Sequence, residues 1–266
     1  MANAHQPRRP HPRTSRVRSA LRIGPARAGV ILTFVGGITL AVVLHGGSGR
    51  AENKPESRAA FTIAGGEGAP RDDKPKLRGG RDLLSADEIG YAIHLATTAS
   101  ALPGDATDVR NRPGLEVLFV DLPPADNRVT SRRALVVAYD YTSNATIQTL
   151  VDLESGVVEN QRRAPGVQPP PSADEAEAAV TAAIESGMPL RFIADFEASE
   201  GVPLVDREQV GYTAGSFVHD GTPEGGKECG RDRCVQLLVR TPAGTYLDTT
   251  DFVVDLSNRT IIQVDE

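Results

Sequence analysis

Histidine is scarce where the chain could fold. Of five, His5, His11 and His45 precede the body, leaving His94 and His219. The chain contains no H-E-x-x-H and no G-x-S-x-G, which removes the usual zinc-hydrolase and nucleophile-elbow signatures. The glycines near 225–230 fall between strand patterns rather than between a strand and a helix, so they do not make a phosphate loop. Cysteine is limited to Cys229 and Cys234, spaced C-G-R-D-R-C. In an exported protein such a pair is expected to form a structural disulfide. A redox dithiol usually has two intervening residues and a helix N-terminus to hold the thiolate, and neither is evident. No catalytic residue, cofactor site or metal site follows from the sequence.

Acidic residues are absent from positions 1–27, which carry seven arginines. The remainder holds 22 basic against 35 acidic side chains, a net charge of −13. So acidic a body lacks the basic stripe that nucleic acid or an anionic membrane surface would require. From Ala28 to Gly49 there is no charge at all, and residues 28–45 form the apolar part of that run. A basic flank before such a run is the pattern of an exported protein with its N-terminus in the cytoplasm. Two readings stand: a single-pass transmembrane anchor over 28–45, or a signal peptide cleaved near Gly49-Arg50-Ala51. Either places the body outside the cytoplasm, as a cell-membrane or secreted protein. Residues 46–82 have little apolar periodicity and many Gly and Pro, and are expected to be a disordered linker.

The body reads as a duplication. Leu150–Gln161, L-V-D-L-E-S-G-V-V-E-N-Q, is answered 103 positions later by Val253–Val264, V-V-D-L-S-N-R-T-I-I-Q-V. The tetrapeptide Ser-Ala-Asp-Glu occurs at Ser85–Glu88 and again at Ser172–Glu175, each before an apolar face at helical spacing. Ser85 with Glu88, and Ser172 with Glu175, have the spacing of a capping box. In the first copy four strands follow, over Leu115–Leu122, Arg133–Tyr141, Thr146–Leu153 and Val157–Gln161. The second copy repeats the pattern with segments Arg191–Ala198, Val210–Val218, Cys234–Arg240, Thr245–Leu256 and Thr260–Val264, and is 16 residues longer. The excess is expected around 199–233. The expected architecture is α+β: two modules, 83–162 and 172–266, each one helix on an antiparallel sheet of about four strands. A Pro-rich spacer, 163–171, joins them.

Asp152 and Asp255 recur at the two turns. An Asp before a turn accepts backbone N–H groups and fixes the hairpin, so both are expected to be structural. Asp87 and Asp174, with Glu88 and Glu175, are first-turn acids that suit the helix dipole rather than a catalytic pair. His94 lies off the apolar stripe of its helix, and His219 with Asp220 opens a Gly-rich loop; a surface role is expected for each.

The run T-L-V-D-L-E-S-G-V-V-E-N-Q-R-R-A-P-G-V-Q-P-P over 149–170 resembles the two small cystatin-like N-terminal domains of copper amine oxidases. The whole chain also resembles bacterial exported proteins described as "Tat pathway signal sequence domain protein", which have a similar C-G-x-x-R-C-V stretch. The first resemblance implies the fold but not the oxidase chemistry. That family uses an Asn-Tyr tyrosine as its quinone precursor and three copper-binding histidines, and this chain has no Asn-Tyr pair. The expected function is a non-catalytic extracytoplasmic binding or structural protein for an unknown protein or cell-envelope component. The alternatives are an inhibitor or regulator of an extracellular hydrolase and, lower, a cryptic enzyme using the 199–233 loops.

Overall fold

The computed structural model describes residues 69–99, 102–125, 131–188, 190–221 and 225–264. The basic segment 1–27, the apolar run 28–45 and the linker as far as residue 68 lie outside the described residues. Among the described residues no helix is long and apolar enough to cross a membrane.

Helix α1 (Ala86–Thr97) starts where the backbone of Ser85 is extended, and Ser85 Oγ accepts the Glu88 N–H at 3.2 Å. Glu88 Oε2 accepts the Ser85 N–H in return, at 2.7 Å. Two orphan donors of the first turn are thereby satisfied. The helix buries Ile89, Ala92, Ile93 and Ala96 against Ala134, Val136, Val151 and Leu153. The first three of these belong to a sheet in sequence order, β1 (Glu116–Asp121), β2 (Arg133–Asp140), β3 (Ala145–Asp152) and β4 (Val157–Pro165), every pair antiparallel, and Leu153 follows β3 directly. His94 is half-buried, off that face.

Helix α2 (Ala173–Glu185) opens on the same device, with Ser172 and Glu175 exchanging bonds of 3.0 and 2.9 Å. It packs on a second antiparallel sheet, again in sequence order, β5 (Gly211–Phe217), β6 (Cys234–Arg240), β7 (Phe252–Asp255) and β8 (Thr260–Gln263). The fold is α+β with two four-stranded antiparallel sheets. Both sheets lie in one compact unit. Val109 and Tyr141, from the first half, pack into the core of the second with Ala179, Leu237 and Leu256.

Five expectations need correction. The second sheet carries two helices rather than one, because Arg191–Ala198, expected as a repeat of the strand pattern, lies in helix α3 (Arg191–Glu200). Phe192 and Phe196 are one helical turn apart and both buried, and Gly201 closes the helix in the left-handed conformation, φ 70°. Of Thr245–Leu256 only Phe252–Asp255 is strand, since Asp248 turns the chain by accepting the Thr250 N–H at 3.0 Å. The spacer expected over 163–171 begins later. Arg163, Ala164 and Pro165 belong to β4, and Ala164 is buried opposite Thr146. Finally, the disorder expected over 46–82 does not hold for 69–82. There Arg71 donates its backbone N–H to Gly90 O, and Leu77 packs on the α1 core.

The extra length of the second half is also more dispersed than 199–233. It lies in 186–210 around α3, in 218–233 between β5 and β6, and in 241–251 between β6 and β7. The corresponding first-half connections are 98–115, 122–132 and 141–144. Cys229 and Cys234 stand at disulfide distance, 2.04 Å, in a small cluster with Phe217, Val253, Ile262 and Val264.

Phe192 is fully buried and stacked on Phe252, ring centroids 5.6 Å apart. Phe192→Ala is expected to destabilise by about 3–5 kcal/mol in urea unfolding. A loss below about 1 kcal/mol would mean that α3 is not part of the core.

Candidate functional site: a polar junction between the sheets

Each helix start is tied to its sheet by a buried ion pair. Arg132, just before β2, gives Nε to Glu88 Oε1 at 2.9 Å and Nη2 to Oε2 at 3.1 Å. Its Nη1 donates to the carbonyls of Gly79 and Asp82 at 2.8 and 2.7 Å, which is what holds the preceding segment down. Arg233, just before β6, repeats the arrangement on Glu175, at 2.9 and 2.7 Å, and donates Nη1 to Pro169 O at 2.7 Å. All four side chains are at most 1% exposed. The backbone carbonyl of each arginine accepts the N–H of the leucine in Val-Asp-Leu: Leu153 to Arg132 and Leu256 to Arg233, both 2.8 Å. The recurring turn and the recurring helix start are thus joined through the same residue.

The aspartates of those turns hold backbone as well. Asp152 Oδ1 accepts the N–H groups of Glu154 and Ser155 at 2.8 and 3.0 Å. Burial opposes ionisation of Asp152, but these donors outweigh it and hold the carboxyl below the usual carboxylate range. Asp255 accepts the Asn258 N–H at 3.0 Å and its Nδ2 at 2.7 Å.

The second half's pair faces the first half. Tyr141 donates its hydroxyl to Glu175 Oε1 at 2.6 Å, and the Arg233 guanidinium lies over the Tyr139 ring, 5.2 Å from its centroid. Glu116 of β1 accepts the Ser172 hydroxyl at 2.7 Å and the Val109 N–H at 3.3 Å. Ser257 joins the turns: its hydroxyl donates to Asn144 Oδ1 at 2.7 Å and accepts the Arg233 N–H at 2.8 Å. Asp232 accepts from Asn144 at 3.2 Å and from Asn258 at 3.0 Å. Since Asp232 and Arg233 lie inside the loop closed by Cys229 and Cys234, the cysteine pair fixes two members of the junction.

At the surface of this junction is a cleft of about 320 Å³. Its walls are Thr107, Asp108, Val109 and Asn111 from one loop, Tyr141 and Thr142 from the turn after β2, and Leu256–Arg259 from the second Val-Asp-Leu turn. Asn111 and Arg259 have left-handed backbones, φ 61° and 55°, and Asn144 nearby has φ 47°. Asp108 is spoken for: it accepts the Arg110 and Arg112 N–H groups and Arg112 Nε at 2.7–2.9 Å.

Three groups of the junction, Glu116, Tyr139 and Tyr141, are strongly shifted. Burial pushes the Glu116 carboxyl up to about 7, against its bond from Ser172, and the nearby Glu175 charge adds to the rise. Burial raises the Tyr139 phenol to about 12, and burial together with the Glu175 charge raises Tyr141 further. Both phenols therefore stay protonated at physiological pH. In the first half, burial works against the Glu88 anion, but Arg132 and the Ser85 and Arg78 N–H groups overcome it and bring the carboxyl to about 2.

Of the residues singled out by sequence, Ser172, Glu175 and Asp255 come together here, while Ser85, Glu88 and Asp152 hold the first half separately. His219, whose Nδ1 accepts the Gly221 N–H at 3.2 Å, is not among the residues that line the cleft. Among the described residues no three His, Cys, Asp or Glu side chains are grouped so as to hold a metal. Sequence reasoning missed Arg132, Arg233, Glu116, Tyr141 and Arg259. The one available signal was an arginine immediately before the second strand of each half. No protein-family model matches the chain, and no curated protein matches it.

The carboxyl shifts set opposite pH dependences. Glu88, depressed from 4.5 to about 2, contributes stability that is present above 4.5 and lost as pH falls toward 2. Glu116, raised from 4.5 to about 7, is favourable when protonated, so stability falls as pH rises from 4.5 through 7. Glu116→Gln is expected to leave the acid arm intact and to raise the unfolding free energy at pH 8 by on the order of 2 kcal/mol relative to its effect at pH 4.5. Denaturant titrations at the two pH values check this, and an equal effect at both would contradict it.

Proposed function

We propose that this chain is a non-catalytic, extracytoplasmic binding or structural protein. Its body is two tandem cystatin-like modules derived by duplication, and it is either anchored through residues 28–45 or secreted after cleavage. Its partner is a protein or a component of the cell envelope. One observation carries the reading: every buried charged side chain of the described body is committed to holding structure. Glu88 and Arg132 neutralise each other, as do Glu175 and Arg233. Glu116 takes Ser172 and Val109, Asp140 takes the Thr142 N–H, and Asp108, Asp232 and Asp255 hold loops and turns. A general base needs a lone pair poised toward a substrate, and these carboxylates are turned toward donors within the fold. The repeated path from capping-box Glu to arginine to Val-Asp-Leu supports the duplication, because two independent origins would have to arrive at the same three-part tie.

The purified full chain is expected to give no turnover above background with amine, ester, peptide or glycoside substrates. Turnover that disappears in His219→Ala or Asp220→Asn would overturn the reading.

A further inference from the structure

Arg259 occupies the last position of the turn between β7 and β8, with φ 55°. At the matching position of the turn between β3 and β4 stands Gly156, φ 71°. A left-handed backbone suits glycine and strains an ordinary residue, so the second half carries a side chain where the first manages without one. That side chain lines the cleft, and its one hydrogen bond to a described residue is long: Nη2 to Val109 O at 3.4 Å. Among the described residues most of its donor fork is therefore unspent. On the 107–111 loop, Asn111 also lines the cleft and is held left-handed, and its carboxamide makes no hydrogen bond to any described residue. The remaining cleft polar groups are occupied. The Asp108 charge is met by Arg112 Nε at 2.7 Å, Tyr141 is bonded to Glu175, Asn258 to Asp232 and Asp255, and Ser257 to Asn144.

One guanidinium with donors to spare and one carboxamide, both lining a small polar cleft, match a planar oxyanion that accepts two parallel N–H bonds. We propose that the cleft between the 107–111 loop, the 141–142 turn and the 256–259 turn binds a carboxylate, held bidentately by Arg259 and oriented by Asn111. At about 320 Å³ the cleft is at the small end for a ligand pocket and has room for the end of a longer ligand. Two sources share this chemistry, the free C-terminus of a peptide and a small carboxylic acid. The inference rests on the reading of the chain as a binding protein and names a site for it.

Calorimetric titration of the purified full chain uses acetyl-Ala-Ala with a free carboxylate, the same peptide as its C-terminal amide, and propionate. The free-acid peptide is expected to bind at least about tenfold more tightly than the amide. Binding of propionate as well would assign the site to carboxylates in general, and its failure alongside peptide binding would assign it to chain ends. Arg259→Gly, which relieves the backbone as Gly156 does, is expected to keep or raise the melting temperature while losing at least about tenfold in affinity. Arg259→Lys keeps the charge without the fork and is expected to bind several-fold more weakly than the wild type. The proposal is overturned if neither acid binds, if the amide binds as well as the acid, or if Arg259→Gly and Arg259→Lys retain wild-type affinity. None of those results would produce turnover, so the non-catalytic reading stands or falls separately.

Discussion

A glutamate that caps a helix and an arginine that opens a strand, both removed from water, hold each half of this molecule together. The arrangement joins three otherwise independent pieces. The glutamate fixes the helix start, the guanidinium fixes the glutamate, and the arginine carbonyl fixes the leucine of the Val-Asp-Leu turn. In the first half the same guanidinium also supplies donors to Gly79 and Asp82, so a segment with little apolar content of its own is ordered by a charge behind it. Taking two charges out of water is costly, and a buried pair is tolerable only where the remaining donors and acceptors are met. Here every nitrogen of each guanidinium has a partner.

The second half uses its pair for an additional purpose. Glu175 accepts from Tyr141 and Arg233 lies over Tyr139, so the two sheets are bound through the charge that organises one of them. The loop closed by the two cysteines carries Asp232 and Arg233 into that interface, and the Ser257–Asn144 bond joins one hairpin turn to another. The two halves also carry different side chains at matched positions of their turns. Gly156 against Arg259 is the sharpest case, because the turn geometry is kept while the side chain changes.

What the sequence discloses follows from range. The capping residues Ser85, Glu88, Ser172 and Glu175 are three apart in each pair, and the strand order follows from alternating apolar runs separated by turn residues. Arg132 and Arg233 could not be found the same way. Their partners are 44 and 58 residues distant, and each arginine sits among other charges, Arg132-Arg133 and Arg231-Asp232-Arg233, that look like a solvated surface. The order of residues 69–82 was hidden for the same reason, since its cause is a guanidinium from another part of the chain. Helix α3 is different: the Phe192–Phe196 spacing is visible, and the expectation of a repeated strand pattern concealed it. The cleft was not legible, because its walls come from three turns separated by up to 150 residues.

A double-mutant cycle on Glu88 and Arg132 tests most directly whether the buried pair organises the fold. Glu88→Gln, Arg132→Met and the double variant would be compared with the wild type by urea unfolding at pH 7. Each single change is expected to cost about 3–5 kcal/mol, because it leaves its partner buried without a counter-charge. The double variant is expected to cost little more than either, giving a coupling of at least about 2 kcal/mol. Single losses below about 1 kcal/mol that simply add in the double variant would contradict the account.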